Sequence, residues 1–157
     1  MATLQRDLRE FVGLLNSHKV DYLVVGGHAV AFHGHPRFTG DIDLLVRMSP
    51  EQAGRILAVL TEFGFADLGL TESDLLRIGT VVQLGRAPNR IDLLTSISGV
   101  DFERAWTGSV AGELDGIPVR FIGFDDLLTN KRTAGRDQDK ADVKKLMAIA
   151  ARHKRDD

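Results

Sequence analysis

The chain has 157 residues, 43% of them apolar and 27% charged, with a formal net charge of −2; these are the values of a globular protein with a core of its own, and they exclude disordered and fibrous classes. Cysteine is absent, which removes disulfides, thiolate zinc sites and a cysteine nucleophile together and leads to the expectation of a reducing, cytoplasmic location. No run approaches the roughly 20 apolar residues of a membrane helix, so no membrane partner is expected.

Leu4, Leu8, Phe11 and Leu15 recur at helical spacing, so residues 3–17 read as an amphipathic helix rather than a secretion signal. The apolar, β-branched run at 20–25 reads as a buried strand. Gly26-Gly27 ends it, HAVAFHG resumes helical composition, and Gly34, His35 and Pro36 break that. A second strand is predicted over 41–46. Ser49-Pro50-Glu51 then opens a helix with a hydroxyl cap and a proline at its first position; it runs to Phe63, with Ala53, Ile56, Leu57 and Leu60 inward. Strands follow over 76–78, 80–84 and 90–94, the last two joined by GRAPN. A short helix at 102–107 and a strand at 117–122 precede two closing helices, 124–133 and 140–153. In the latter Val143, Leu146, Met147 and Ala150 share a face. With no repeat and no long linker, the pattern predicts one α/β (α+β) domain over 1–157, a mixed β-sheet flanked by helices, with 124–155 as a C-terminal helical segment.

From Lys131 to Arg155 nine Lys and Arg stand against three Asp. That local excess suits either an anionic partner, nucleic acid included, or a solvated helix face.

The chemistry concentrates in VVGGHAVAFHGHPRFTGDIDLLV. Asp41 and Asp43 flank Ile42 in an apolar strand, so both carboxylates project from one face, about 6–7 Å apart along the chain. Like charges on a buried strand repel and lose hydration, and a cation between them relieves both costs. Hard carboxylate oxygens suit Mg²⁺ together with phosphate oxygens. Alternatively, Asp41 is simply the strand's exposed beginning. Asp92 interrupts a second apolar strand, RIDLLT, in the same way. Placed beside the first, it completes a three-carboxylate site able to hold two divalent ions for in-line phosphoryl transfer; the alternative is a surface pair with Arg90. Gly26-Gly27 leaves backbone N–H groups at a helix start open to close approach by phosphate oxygens.

Gly26-Gly27, thirteen residues, Asp41-Ile42-Asp43 and a later strand with Asp92 together resemble the DNA-polymerase-beta-type nucleotidyltransferase superfamily. The chain is most similar to its small stand-alone prokaryotic members, among them the abortive-infection type IV toxin nucleotidyltransferases and the antibiotic-modifying enzymes. DDLLTNKRTAGRDQDKADVKKL resembles the segment that follows the core in the toxin-like group. The resemblance implies a nucleotidyltransferase fold and transfer of a nucleoside monophosphate from an NTP, ATP foremost, to an acceptor hydroxyl with release of pyrophosphate. It implies two Mg²⁺ ions, with Mn²⁺ as a substitute, held by Asp41, Asp43 and Asp92 as the catalytic and metal-binding residues, Asp92 also helping to deprotonate the acceptor. Gly26, Gly27, Arg37, Thr39 and Lys131 are implied to bind the nucleotide. Gly40 departs from the usual Lys, Arg or Ser before the first acid, so no side-chain contact is carried over there. The acceptor, whether a small molecule, a tRNA or a protein, is not implied, and a homodimer and a cognate antitoxin stand as candidate partners.

A catalytically inactive nucleotide-sensing or toxin–antitoxin-type partner module of the same fold is the alternative function; a glycosyltransferase fits Asp-x-Asp but not the glycine turn or Asp92. His28 and His33 are five apart and share no helix face, so with His35 they read as packing or substrate contacts rather than metal ligands. Arg136, Asp137, Asp139 and Asp142 read as a salt-bridged helix start, with Asp142 pairing to an Arg or Lys. Tyr22 and Trp106 read as core or seam residues.

Overall fold

The computed structural model describes residues 6–37, 39–86 and 90–156. The predicted helix start at residues 3–5 and residues 87–89 of the GRAPN turn lie outside the described residues.

Helix α1 (Arg6–Ser17) buries Leu8, Phe11, Val12 and Leu15. Strand β1 (Tyr22–Val25) is buried at every position, as a central strand covered on both faces must be. Helix α2 (Gly26–Phe32) follows without a break and leads to β2 (Asp41–Val46). Helix α3 (Pro50–Glu62) begins where the Ser49 side chain accepts from the Gln52 backbone N–H. Its buried residues are Gln52, Ala53, Ile56, Val59 and Leu60. Gln52 is polar but fully used: its carbonyl accepts from the Asp21 N–H at 2.7 Å and its amide reaches the Lys19 carbonyl at 3.3 Å. The Phe11 and Phe63 rings meet edge to face at 5.1 Å and join α1 to the end of α3.

Two short 3₁₀ turns (Ala66–Leu68 and Asp74–Leu76) lead into the β3 (Val81–Leu84) and β4 (Arg90–Leu94) pair. The strand predicted over 76–78 does not form. Thr71 and Asp74 instead exchange side-chain and backbone hydrogen bonds that wind the segment into a turn. Leu75 alone plugs the core there, and Ile78 is 80% exposed. Helix α4 (Phe102–Thr107) precedes a hairpin of β5 (Val110–Leu114) and β6 (Ile117–Phe121). Strand β5 was not expected, because VAGEL has no alternation to read. Its signal is the turn: Asp115 and Gly116 both have positive φ, +50° and +82°, the two-residue Asp-Gly connection whose twist suits a hairpin. Helices α5 (Phe124–Ala134) and α6 (Asp137–Asp156) close the chain and pack on each other. On α6 the inward stripe holds Leu146 and Ile149; Met147, expected on it, is 44% exposed because it falls just around the helix from them.

The strands form one mixed sheet in the order β3-β4-β2-β1-β6-β5. β2 runs parallel to β4 and β1 parallel to β6, while the remaining neighbours are antiparallel. Ile42, Leu44 and Val46 point into the core from one face of β2, which leaves Asp41 and Asp43 on the other. Among the described residues no helix is long and apolar enough to cross a membrane.

Leu23 is fully buried in β1, the strand that pairs with β2 on one side and β6 on the other. Leu23→Ala is expected to remove about 2–5 kcal/mol of stability, read as a lower denaturant midpoint with unchanged slope.

Candidate active site

Parallel pairing of β2 with β4 sets Asp43 directly opposite Asp92 and Asp41 opposite Arg90. Residues paired in register point to the same face of a sheet, so the two strands deliver all three aspartates to one place. One carboxylate oxygen from each of Asp41, Asp43 and Asp92 lies within 4.8 Å of the others. Among the described residues it is the one group of three or more His, Asp or Glu side chains so placed. Arg90 binds across it. Its Nη2 donates to Asp41 Oδ2 at 2.8 Å and to Asp92 Oδ2 at 3.0 Å, and its Nε donates to Asp92 Oδ1 at 2.9 Å. The Arg90–Asp92 pair, set against clustering as an alternative, therefore coexists with it: Asp92 is 5% exposed and belongs to both. Thr39 supports the first acid by donating to the Asp41 carbonyl at 2.9 Å.

The glycine turn lies on the second acid. Val25, the last residue of β1, pairs with Asp43, and the next residue, Gly26, takes φ +66°. A Cβ on Gly26 would stand 2.2 Å from Asp43 Oδ2, so a side chain there is barred by backbone conformation and by space alike. A Cβ on Gly27 would meet the Thr39 hydroxyl at 3.1 Å and Arg37 Nη2 at 3.3 Å. No side chain caps the start of α2, and Gly26 and Gly27 line the same cleft as Asp41 and Asp43.

That cleft, about 560 Å³, is lined also by Arg37, Thr39, Lys131 and Arg136, with Leu94, Ile97, Ser98, Asn130 and Ala134 forming further wall. Of the nucleotide-binding residues expected from the sequence, Gly26, Gly27, Arg37, Thr39 and Lys131 all line it. Lys131 is buried, with its ammonium 3.2 Å from Asp139 Oδ1 and 3.1 Å from Asp142 Oδ2. Asp142 is fully buried and receives Arg37 Nη2 at 3.2 Å and the Gln138 amide at 3.0 Å. Arg136 closes on Asp139 through its backbone N–H at 3.1 Å and its Nε at 2.8 Å. The salt-bridged helix start is thus present, and it secures two cations of the cleft wall. The part of Asp139 in holding Lys131, and that of Arg136 as wall, were not read from sequence; the only signal was the spacing of Arg136, Asp139 and Asp142 across the α5–α6 connection. His33 binds the Ile122 carbonyl at 2.7 Å and packs between Phe32 and Phe124, which is a packing role. His28 stays near the acids, its basicity lowered by burial against the opposing pull of Asp41.

The acids do not titrate alike. Burial raises Asp43, and the charges of Asp41 and Asp92 raise it further, to about 7. Asp92 is raised chiefly by burial, against the hydrogen bonds of Arg90. For Asp41 burial acts upward too, but its contacts with Asp92, Arg90 and Thr39 win and hold it below the ordinary value. Burial would likewise raise Asp139, but Arg136 and Lys131 keep it low.

Gly26→Ala is expected to destabilise by about 1–3 kcal/mol, the usual cost of a strained backbone position. Gly13→Ala, in the open interior of α1 with nothing within 4 Å, is expected to gain about 0.5–1 kcal/mol; chemical denaturation compares the two. Asp43 predicts a pH effect as well. A carboxyl whose folded pKa is raised from 3.8 to about 7 holds its proton more tightly when folded, so its stabilising contribution is complete below 3.8 and is lost as pH climbs through about 7. Melting in EDTA should therefore show the wild type losing stability across that window, and Asp43→Asn, which cannot ionise, a flatter profile. Equal slopes would contradict the assignment.

A family model described as "Nucleotidyl transferase of unknown function (DUF2204)" matches residues 4–156. The fold is similar to the crystal structure of an antigenic nucleotidyltransferase-like protein from Paracoccidioides brasiliensis, at 18% identity and a TM-score of 0.55, over 94% of this chain and 78% of that one. No curated protein matches the chain significantly. A mixed β-sheet flanked by helices is what the resemblance in the motifs led one to expect, and the family match spans nearly the whole chain: this protein belongs to the nucleotidyl transferase family DUF2204.

Proposed function

We propose that the protein moves a nucleoside monophosphate from an NTP, ATP foremost, to an acceptor hydroxyl with release of pyrophosphate, and that it does so with Mg²⁺, for which Mn²⁺ substitutes. The observation that carries this reading is the in-register Asp43–Asp92 pair with Asp41 on the same face, where Asp41 and Asp43 line a cleft whose wall also includes Gly26, Gly27, Arg37 and Lys131. The donor set fits the metal: three hard carboxylates within chelating reach of one another and no soft ligand among them suit Mg²⁺ far better than zinc or copper. When bound, such ions neutralise phosphate charge and favour ionisation of the attacking hydroxyl.

The chain's own residues account for the remaining work. The Gly26-Gly27 turn lines the cleft with no side chain capping the helix start, and its backbone N–H groups suit phosphate oxygens. Arg37, Lys131 and Arg136 make the neighbouring wall cationic, and Arg37 and Lys131 are held in fixed positions by Asp142 and Asp139, so little reorganisation is needed when a triphosphate arrives. Asp92, with a carboxyl raised by burial, takes the proton of the acceptor hydroxyl. A cleft of about 560 Å³ falls in the size range of small-molecule sites.

Incubation of the protein with Mg²⁺ and each α-³²P-labelled NTP, with tRNA, protein and small hydroxyl compounds as acceptors, should transfer label and release pyrophosphate. Asp43→Asn is expected to lower the rate by about 10²–10³-fold or more, and EDTA to abolish it. Labelling by Asp43→Asn at the wild-type rate would sink the assignment, and no transfer from any NTP by folded wild type would favour the inactive nucleotide-binding module.

A further inference from the structure

Three negative charges meet at the acid cluster, and the cation that answers them comes from the protein itself. Arg90 stands beside Asp41 in the strand register and donates three hydrogen bonds, two to Asp92 and one to Asp41. Its reach is one-sided. Among the described residues no guanidinium or ammonium hydrogen-bonds to Asp43, whose carboxylate instead lies against the Gly26 turn at the cleft side. Arg90 thus divides the cluster: Asp41 and Asp92 are neutralised from the β4 side, and Asp43 is left to the cleft.

We propose that Arg90 is an internal counter-cation, occupying the cluster in place of the divalent ion that Asp92 helps to hold, and that binding of that ion expels it. The inference rests on reading Asp41, Asp43 and Asp92 as a divalent-ion site. The oxygens Arg90 uses are the hard donors such an ion needs, and a carboxylate oxygen engaged by a guanidinium has fewer lone pairs to offer a metal. Both cannot be fully bound at once. The Arg90 side chain is 34% exposed, so it has a short path to water and leaves without breaking the core. Its attachment has two consequences. The metal-free cluster is kept from repelling itself apart, and the ion must compete with a tethered cation, which lowers its apparent affinity by the fraction of molecules in which Arg90 is seated. Since the seated arginine takes both oxygens of Asp92 and one of Asp41 but none of Asp43, the ion drawing on Asp92 is the one most affected.

The test uses Mn²⁺ alone. Free Mn²⁺ is followed by electron paramagnetic resonance during titration of metal-free wild type, Arg90→Gln and Arg90→Lys, with melting temperatures measured in EDTA and in Mn²⁺. Arg90→Gln should bind Mn²⁺ about tenfold more tightly, as expected if roughly nine in ten wild-type molecules have the arginine seated, and Arg90→Lys should fall between. Arg90→Gln should also melt lower than wild type in EDTA yet gain more from Mn²⁺. A purely structural arginine would show the reverse, with weaker binding in the variant; equal or weaker binding by folded Arg90→Gln, with wild type binding normally, overturns the inference and leaves the metal reading intact. If folded wild type binds no Mn²⁺, both fall. Should Arg90→Gln not fold, the Arg90 Nε resonance of ¹⁵N-labelled wild type decides: saturation with diamagnetic Mg²⁺ should shift it away from its hydrogen-bonded position, and an unmoved resonance at saturating Mg²⁺ overturns the inference.

Discussion

Parallel, in-register pairing of β2 with β4 is the constraint from which the site follows. It fixes Asp43 against Asp92 and Asp41 against Arg90, and it cannot slide: a one-residue slip would turn Ile42 and Ile91, both buried, out of the core and the acids into it. The acids are therefore held together by apolar burial on the far side of the same strands. Their mutual repulsion and lost hydration are the cost of that arrangement. Arg90 answers part of it, and the rise of Asp43 to about 7 answers another part by letting a proton stay on the carboxyl that Arg90 does not reach.

A second ionic layer lies behind the first. Lys131, Asp139, Asp142 and Arg37 form a chain of contacts running from α5 through α6 to the segment before β2. Buried ion pairs add little net stability against a well-packed apolar alternative, but removing one partner strands the other. Their effect here is to fix where Arg37 and Lys131 stand. The uneven charge of the sequence separates accordingly. Lys131 and Arg136 line the cleft, whereas Lys140, Lys144, Lys145, Arg152, Lys154 and Arg155 are exposed along α6. The basic tail is thus two features, one built into the site and one facing water.

Most of the central sheet was legible because its signals are local. β1, β2 and β4 are apolar runs between turn residues, and Ser49-Pro50 marks a helix start whatever follows. The three aspartates were legible as interruptions of such runs, although their meeting depends on strand order, which no local pattern states. What failed did so for physical reasons. Apolar residues at 76–78 suggested a strand, but a strand needs a neighbour with free backbone groups, and the Thr71–Asp74 hydrogen bonds had already turned the chain. β5 lacks apolar alternation because it lies at the sheet edge and is largely exposed, and Gly112 sits there because the stacked Phe32 and Phe121 rings leave no room for a Cβ. Arg90 was read as a rival to the cluster because sequence spacing offers one partner at a time, whereas a guanidinium reaches two carboxylates.

The fold also separates the acid cluster from the outer wall of the cleft. Asp41, Asp43 and Asp92 sit on strands with paired neighbours on both sides, and Gly26 is locked against Asp43 by contact and by φ. A change at any of them disturbs the sheet as well as the acid cluster. The remaining walls come from elsewhere: Ile97 and Ser98 from the connection between β4 and α4, Asn130 and Ala134 from one side of α5. Asn130 is tied to the Ser98 carbonyl by a single exposed hydrogen bond at 3.0 Å, and neither residue takes part in the sheet. Substitution there would reshape the cleft without moving an acid, because the sheet's backbone hydrogen bonds do not pass through those positions. A fold arranged in this way can keep the acid cluster fixed while the outer wall of the cleft varies, and for the same physical reason the acids are easier to read from the sequence than the shape of the cleft around them.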